Sequence, residues 1–222
     1  MPPIAPARPS AERLRALHFA DPEGRVLRPL GTEAPDHFAV FGLPPRLLLD
    51  ADALRDTFLD LSRHFHPDFH ANDAPALRDE ILRRSSLLNN AYKTLRDDQK
   101  RAEYLIALVG KGIESNKNAV PPELLEEIFD IQEAGEELRD ARLSTDEERL
   151  AAAEARIGPL REQVNAARQA LVRQLEQQCA AYDDALANGA DPASEACQQT
   201  LRSIRLTLDR MNYLRTVLRN LR

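Results

Sequence analysis

The tripeptide His66-Pro67-Asp68 stands between two stretches patterned for helices, and it restricts the possible folds of this chain more than any other feature. Proline has no backbone N–H for the helix ladder, and its ring disfavours α geometry in the residue before it. A helix over Ala51 to Phe65 must therefore end at Pro67, with His66 held extended. Asp68 follows in a loop as an exposed acceptor, suited to a bidentate grip from a partner's arginine. Leu54, Phe58, Leu61 and Phe65 recur at three- and four-residue steps in the first helix, and Asp50 or Asp52 is placed to cap it. Beyond the loop, Leu77, Ile81, Leu88, Ala91 and Leu95 line one face of another helix. The pattern predicts a helical hairpin with a proline-fixed bend.

The flanks extend this all-α reading. Phe38, Phe41 and Leu43 form a short apolar cluster closed by Gly42 and Pro44-Pro45. Asp97-Asp98 restarts a short helix carrying Tyr104, Leu105 and Leu108, which Gly110 and Gly112 stop. Residues 111–120 are polar and read as a linker. Pro121-Pro122 opens a helix with the stripe Leu124, Ile128, Ile131, Gly135 and Leu138. Ser144 to Glu147 resembles a cap for a long helix through Leu150, Ile157, Val164, Leu171, Leu175 and Tyr182, which Gly158-Pro159 should kink or split. A turn at 188–192 precedes a last helix carrying Leu201, Ile204, Leu208, Met211, Leu218 and Leu221. The expected organisation is an extension without fixed structure over 1–35, a hairpin domain over 36–110, the linker, and a three-helix domain over 121–222.

Composition narrows the function classes. The chain has 222 residues, no Trp and a formal charge of −6, so a basic nucleic-acid footprint is not expected. No apolar run has the length of a membrane helix. Cys179 and Cys197 lie in helical patterns without metal-binding spacing and read as reduced packing residues. The N-terminus lacks the apolar region of a secretory signal. The expected compartment is the cytoplasm, with the mitochondrial matrix as the alternative, because Arg8, Arg13 and Arg15 accompany a single acid, Glu12. His64, His66, Asp68 and His70 alternate as some metallohydrolase ligands do. That chemistry needs further ligands on strand ends, and the remaining histidines are His18 and His37, so no metal, cofactor or catalysis is expected.

Charge is unevenly spread. Residues 123–140 hold eight acids against Arg139, whereas 201–222 hold six arginines against Asp209. Helices one and three of a three-helix bundle run parallel, so these rims are candidates for pairing.

Taken together, Asp36-His37-Phe38-Ala39-Val40-Phe41-Gly42-Leu43-Pro44, the His66-Pro67-Asp68 loop, Asn89-Asn90-Ala91-Tyr92-Lys93-Thr94-Leu95 and Arg101-Ala102-Glu103-Tyr104-Leu105 resemble the HscB co-chaperones of iron–sulfur cluster assembly. The resemblance is close over 36–110 and follows layout over 121–222. It implies a J domain that stimulates the ATPase of a DnaK-type (HscA-like) chaperone. It also implies a C-terminal domain that carries the IscU-like iron–sulfur scaffold protein. His66, Pro67 and Asp68 match the family's chaperone-activating tripeptide, with Arg55 and Arg63 on the helix before it. Asp52, Asp56 and Asp60 dilute that helix's basic face, which implies weaker electrostatic steering.

Leu125, Phe129, Asp130 and Glu133 match the family's scaffold-binding face, with Glu137 beside them and Leu206 near the position of an aromatic on the last helix. Glu126 stands where relatives often have methionine, which makes the patch smaller or more polar. Some relatives carry a zinc hairpin built from two cysteine pairs, and here no cysteine precedes Cys179. Two other readings stay open: a J-domain protein with another client, and a helical oligomer in which Leu125 and Phe129 are buried.

Overall fold

The computed structural model describes residues 36–116, 119–144 and 146–221, and the expectation for 1–35 lies outside them. Among the described residues every regular element is helical. No helix among them is long and apolar enough to cross a membrane. The chain divides between Leu105 and Ile106 into two compact units.

The first unit contains α1 (His37–Val40), α2 (Ala51–His64), a 3-10 turn (Pro67–His70), α3 (Pro75–Leu95) and the start of α4 (Asp98–Val109). Aspartates begin the first two helices. Asp36 Oδ1 accepts from the Phe38 and Ala39 amides at 2.9 and 3.0 Å, and Asp50 Oδ1 accepts from those of Asp52 and Ala53 at 3.0 Å. Each such cap satisfies helix-end donors that have no partner inside the helix. Leu54, Leu61 and Phe65 from α2 and its end share the core with Ile81, Leu88, Ala91 and Leu95 of α3. Phe58 and Tyr92 stack across the pair with ring centroids 4.0 Å apart. Leu77 departs from the expected stripe and is 38% exposed, because burial along α3 starts only at Ile81, one turn further on.

Two buried arginines hold this unit. Arg84 is fully buried, donates from Nε to Glu80 Oε1 at 2.8 Å, and places its guanidinium 5.9 Å from the Phe65 ring centroid. Burial pulls its pKa down, and Glu80 opposes that. Arg101, only 5% exposed, donates from Nε to the Leu47 carbonyl at 2.7 Å. Its other nitrogens reach the Leu95 carbonyl at 2.5 Å and the Asp98 carboxylate. One side chain thus satisfies the end of α3, the start of α4 and the segment before α2. At the other edge Tyr104 accepts from the His37 amide at 2.9 Å and stacks on the His37 ring at 4.2 Å. Burial lowers the His37 pKa against the pull of Asp36, which favours a neutral ring in that stack.

The second unit contains a 3-10 turn (Pro122–Leu124), α5 (Ile128–Leu143), α6 (Glu147–Ala187) and α7 (Glu195–Asn220). The helix expected from Pro121-Pro122 starts later than its sequence indicates. Leu124 and Leu125 donate to the Pro121 and Pro122 carbonyls at 3.0 and 3.3 Å, which winds a tight three-residue turn. True α geometry then begins at Ile128, so Leu125 lies in a turn. Asp146 caps α6 through the Arg149 amide at 3.0 Å. Of the kink or split expected at Gly158-Pro159, the split does not occur: one helix runs through Pro159. Pro159 and Ala155, whose carbonyl loses its helix partner, are both exposed, so water can take the place of the lost bond.

Residues 111–116 are fastened to α7. Gln198 Oε1 accepts from the Lys111 amide at 2.9 Å, and its Nε2 donates to the Val109 and Pro192 carbonyls at 3.1 and 2.8 Å. Asp209, 2% exposed, accepts from Ser115 Oγ and the Asn116 amide, each at 2.7 Å, and from Arg205 Nε at 3.0 Å. Cys179 and Cys197 are both buried thiols, not joined in a disulfide.

Arg101→Met should destabilise the first unit by about 3 kcal/mol, since it strands two carbonyls that one buried cation had satisfied. Urea unfolding of the variant against the parent chain checks this, and an unchanged midpoint would remove Arg101 from its structural role.

Candidate functional site

The bend carries the first candidate site. His66 has φ −72° and ψ 126°, the extended backbone expected of a residue before proline. Pro67 then opens the 3-10 turn, and His66 Nδ1 accepts from the Asp68 amide at 3.3 Å. The side chains of His66 and Asp68 are 50% and 86% exposed, so both are within a partner's reach. Pro67 is half-buried, and the turn packs against α3. Arg55 and Arg63 are exposed on α2 about two turns apart. Asp52 and Asp56 are exposed on the same helix, so its surface is of mixed charge.

Two neighbours escaped the sequence reading. Phe69 is 73% exposed, and its ring meets His66 edge-on with centroids 5.8 Å apart. His70 fastens the loop: Nδ1 lies 2.7 Å from Asp73 Oδ2 and Nε2 lies 2.9 Å from the His64 carbonyl. Both partners are acceptors, so the ring satisfies both only as an imidazolium, with a proton on each nitrogen. Burial works against that charge, but the His64 carbonyl and Asp73 outweigh it and raise the pKa above the ordinary histidine value. The HxHxD alternation offered no hint of this role, since Asp73 and a backbone carbonyl are the partners.

The second candidate lies at the start of α5 and on α7. Leu125 is 55% exposed and Phe129 76%, large values for apolar side chains beside a packed core. Phe129, Glu133 and Glu137 follow at four-residue steps, so they form one ridge of α5, with Asp130 adjacent. Leu206 projects from α7 and is 41% exposed. Ile128, expected in the core stripe, is half-buried, whereas Leu124, Ile131 and Leu138 are buried.

Two acidic residues of α5, Glu133 and Glu137, share a cation on α6. Arg156 Nη2 lies 2.5 Å from Glu133 Oε2, and its Nη1 lies 2.6 Å from Glu137 Oε2. Gln163 donates to Glu127 at 2.8 Å, so partners ascend along α6 as they descend along α5, the register of an antiparallel pair. On α7, Arg202 pairs with Glu195 and Arg205 with Asp209. Arg156 was missed because nothing in the sequence sets it apart from the other arginines of a mixed-charge helix.

Comparison with known proteins agrees with this geometry. Residues 36–104 match the DnaJ domain family. The fold is similar to that of the human co-chaperone protein HscB, with 20% identity, 99% of this chain and 92% of the human chain covered, and a TM-score of 0.56. The chaperone HscB from Vibrio cholerae is 29% identical over 82% of this chain and 97% of its own, with a TM-score of 0.48.

Because the raised His70 pKa favours its charged form, the clasp stabilises the protein fully below about pH 6.5 and loses that contribution as pH rises through the higher folded value. The stability difference between the parent chain and His70→Gln should therefore be larger at acid than at alkaline pH. Paired urea titrations across that range check it, and a constant difference would contradict the clasp.

Proposed function

We propose that this chain, which carries a DnaJ domain and shares the fold of human HscB, works as an HscB-type co-chaperone without catalysis of its own. In this reading the first unit stimulates ATP hydrolysis by a DnaK-type chaperone, and the second carries the iron–sulfur scaffold protein to it. The observation that carries the reading is the exposed His66-Pro67-Asp68 turn, set by proline at the end of α2 inside a DnaJ domain. Asp68 offers its carboxylate to an arginine of the chaperone, and exposed Phe69 adds an apolar contact beside it. Arg55 and Arg63 supply the cations of α2, and the intervening acids weaken steering toward an acidic partner surface.

The apolar strip of Leu125 and Phe129, flanked by Asp130, Glu133 and Glu137 and completed by Leu206, is the face proposed for the scaffold. Exposure of these side chains supports a docking role over a purely internal one. Holding scaffold and chaperone through one molecule raises the effective concentration of each at the other. The compartment that accompanies this reading is the cytoplasm.

His66→Gln should abolish ATPase stimulation while leaving circular dichroism and scaffold binding intact, because the His66 side chain is half exposed and belongs to the first unit. Stimulation retained at the parent level would count against the chaperone role. Replacing Leu125 and Phe129 together with Ala should weaken scaffold binding by about 2 kcal/mol or more, as for clustered hot-spot residues. Unchanged affinity, or a change of oligomeric state instead, would return the strip to the core of an oligomer.

A further inference from the structure

We propose that Arg156 is an internal counter-ion for the acidic flank of the Leu125–Phe129 face, one that a cation of the docked partner displaces. Arg156 thereby sets how basic that partner must be. The inference rests on the reading of this face as a docking surface and adds a residue outside it. Phe129, Glu133 and Glu137 share one ridge of α5, so whatever covers the exposed Phe129 ring comes up against the two carboxylates. In the free protein both carboxylates already have a partner, since one guanidinium reaches Glu133 at 2.5 Å and Glu137 at 2.6 Å. Two negative charges facing one positive leave the cluster less acidic than the sequence implies, although Asp130 stands beside it.

The cluster is built for exchange. The side chains of Arg156, Glu133 and Glu137 are 38%, 64% and 46% exposed, so water screens the pairs and each holds only weakly. A lysine or arginine arriving with a partner's apolar surface therefore meets carboxylates that are occupied but not sealed. Arg156 can swing to solvent as they are taken over. The competing explanation is a staple that holds α5 to α6. Those helices are already joined by the Gln163–Glu127 bond, and Ile131, Ala134 and Leu138 of α5 and Ile157 and Val164 of α6 are buried. The two explanations predict opposite signs: removing a competitor strengthens binding, whereas removing a staple disorders the ridge and weakens it.

The test is calorimetric titration of the full-length chain with the apo iron–sulfur scaffold protein, using Arg156→Lys, Arg156→Gln and Arg156→Glu beside the parent. Affinity should rise about threefold to tenfold at each loss of positive charge at low salt. Lys should match the parent, and the differences should shrink toward zero near about 1 M salt. Circular dichroism and unfolding midpoints separate any loss of structure from a change in affinity. Flat or falling affinity from Lys through Gln to Glu would overturn the role of Arg156. If the Leu125 and Phe129 double replacement weakens binding while the Arg156 series stays flat, only this inference fails. If the double replacement leaves binding unchanged, or the parent does not bind the scaffold at all, the docking face fails and Arg156 with it.

Discussion

A missing amide hydrogen and a crowded ring at Pro67 force the chain out of the α region at His66, and the accessible chemistry of the first unit follows from that break. The residue before the bend is anchored. Phe65 is 1% exposed and sits under the buried guanidinium of Arg84, so α2 cannot slide to relieve the turn. The residues after it face water, with Pro67 and His70 partly covered. His70 then ties the far side of the turn to the His64 carbonyl at the end of α2 and to Asp73. A buried foot, an exposed apex and a polar clasp make a loop that presents a carboxylate in one orientation, without requiring a partner to impose that order.

Buried polar groups give the two units their definition. Arg101 gathers the ends of three segments that apolar contact alone would leave unspecified. Asp209 does the same in the second unit, collecting a hydroxyl, an amide and a guanidinium around one carboxylate. Hydrophobic burial supplies most of the driving force but little direction. Groups that are costly to leave unsatisfied instead dictate which of several similar helix arrangements is adopted.

Much of this was legible in the sequence wherever a short-range rule applied. The proline bend, the Asp50 cap and the stripe of Leu54, Leu61 and Phe65 depend on neighbours within a few positions, and all appear as expected. The readings that failed needed information from elsewhere in the chain. Period alone could not say that burial on α3 begins past Leu77, or that water would tolerate Pro159 within α6. Counting charges identified an acidic stretch and an arginine-rich one but left open which cations the acids meet. Arg156 meets Glu133 and Glu137 through the register of two antiparallel helices, and Asp209, the lone acid of the basic stretch, turned inward. At the candidate sites the exposed tripeptide and apolar strip were visible, while Phe69, His70 and Arg156 emerged only from three-dimensional placement.

The ties from Gln198 and Asp209 to residues 109–116 bear on how this protein is made. They span sequence separations of 87 to 94, and they join the first residues of the second unit to its last helix. As the polypeptide leaves the ribosome, the bond between His37 and Tyr104 in the first unit can form long before α7 is made. The opening segment of the second unit meets these partners only once α7 has been made. A nascent chain stalled before α7 would therefore display residues 109–116 without the side chains that fasten them.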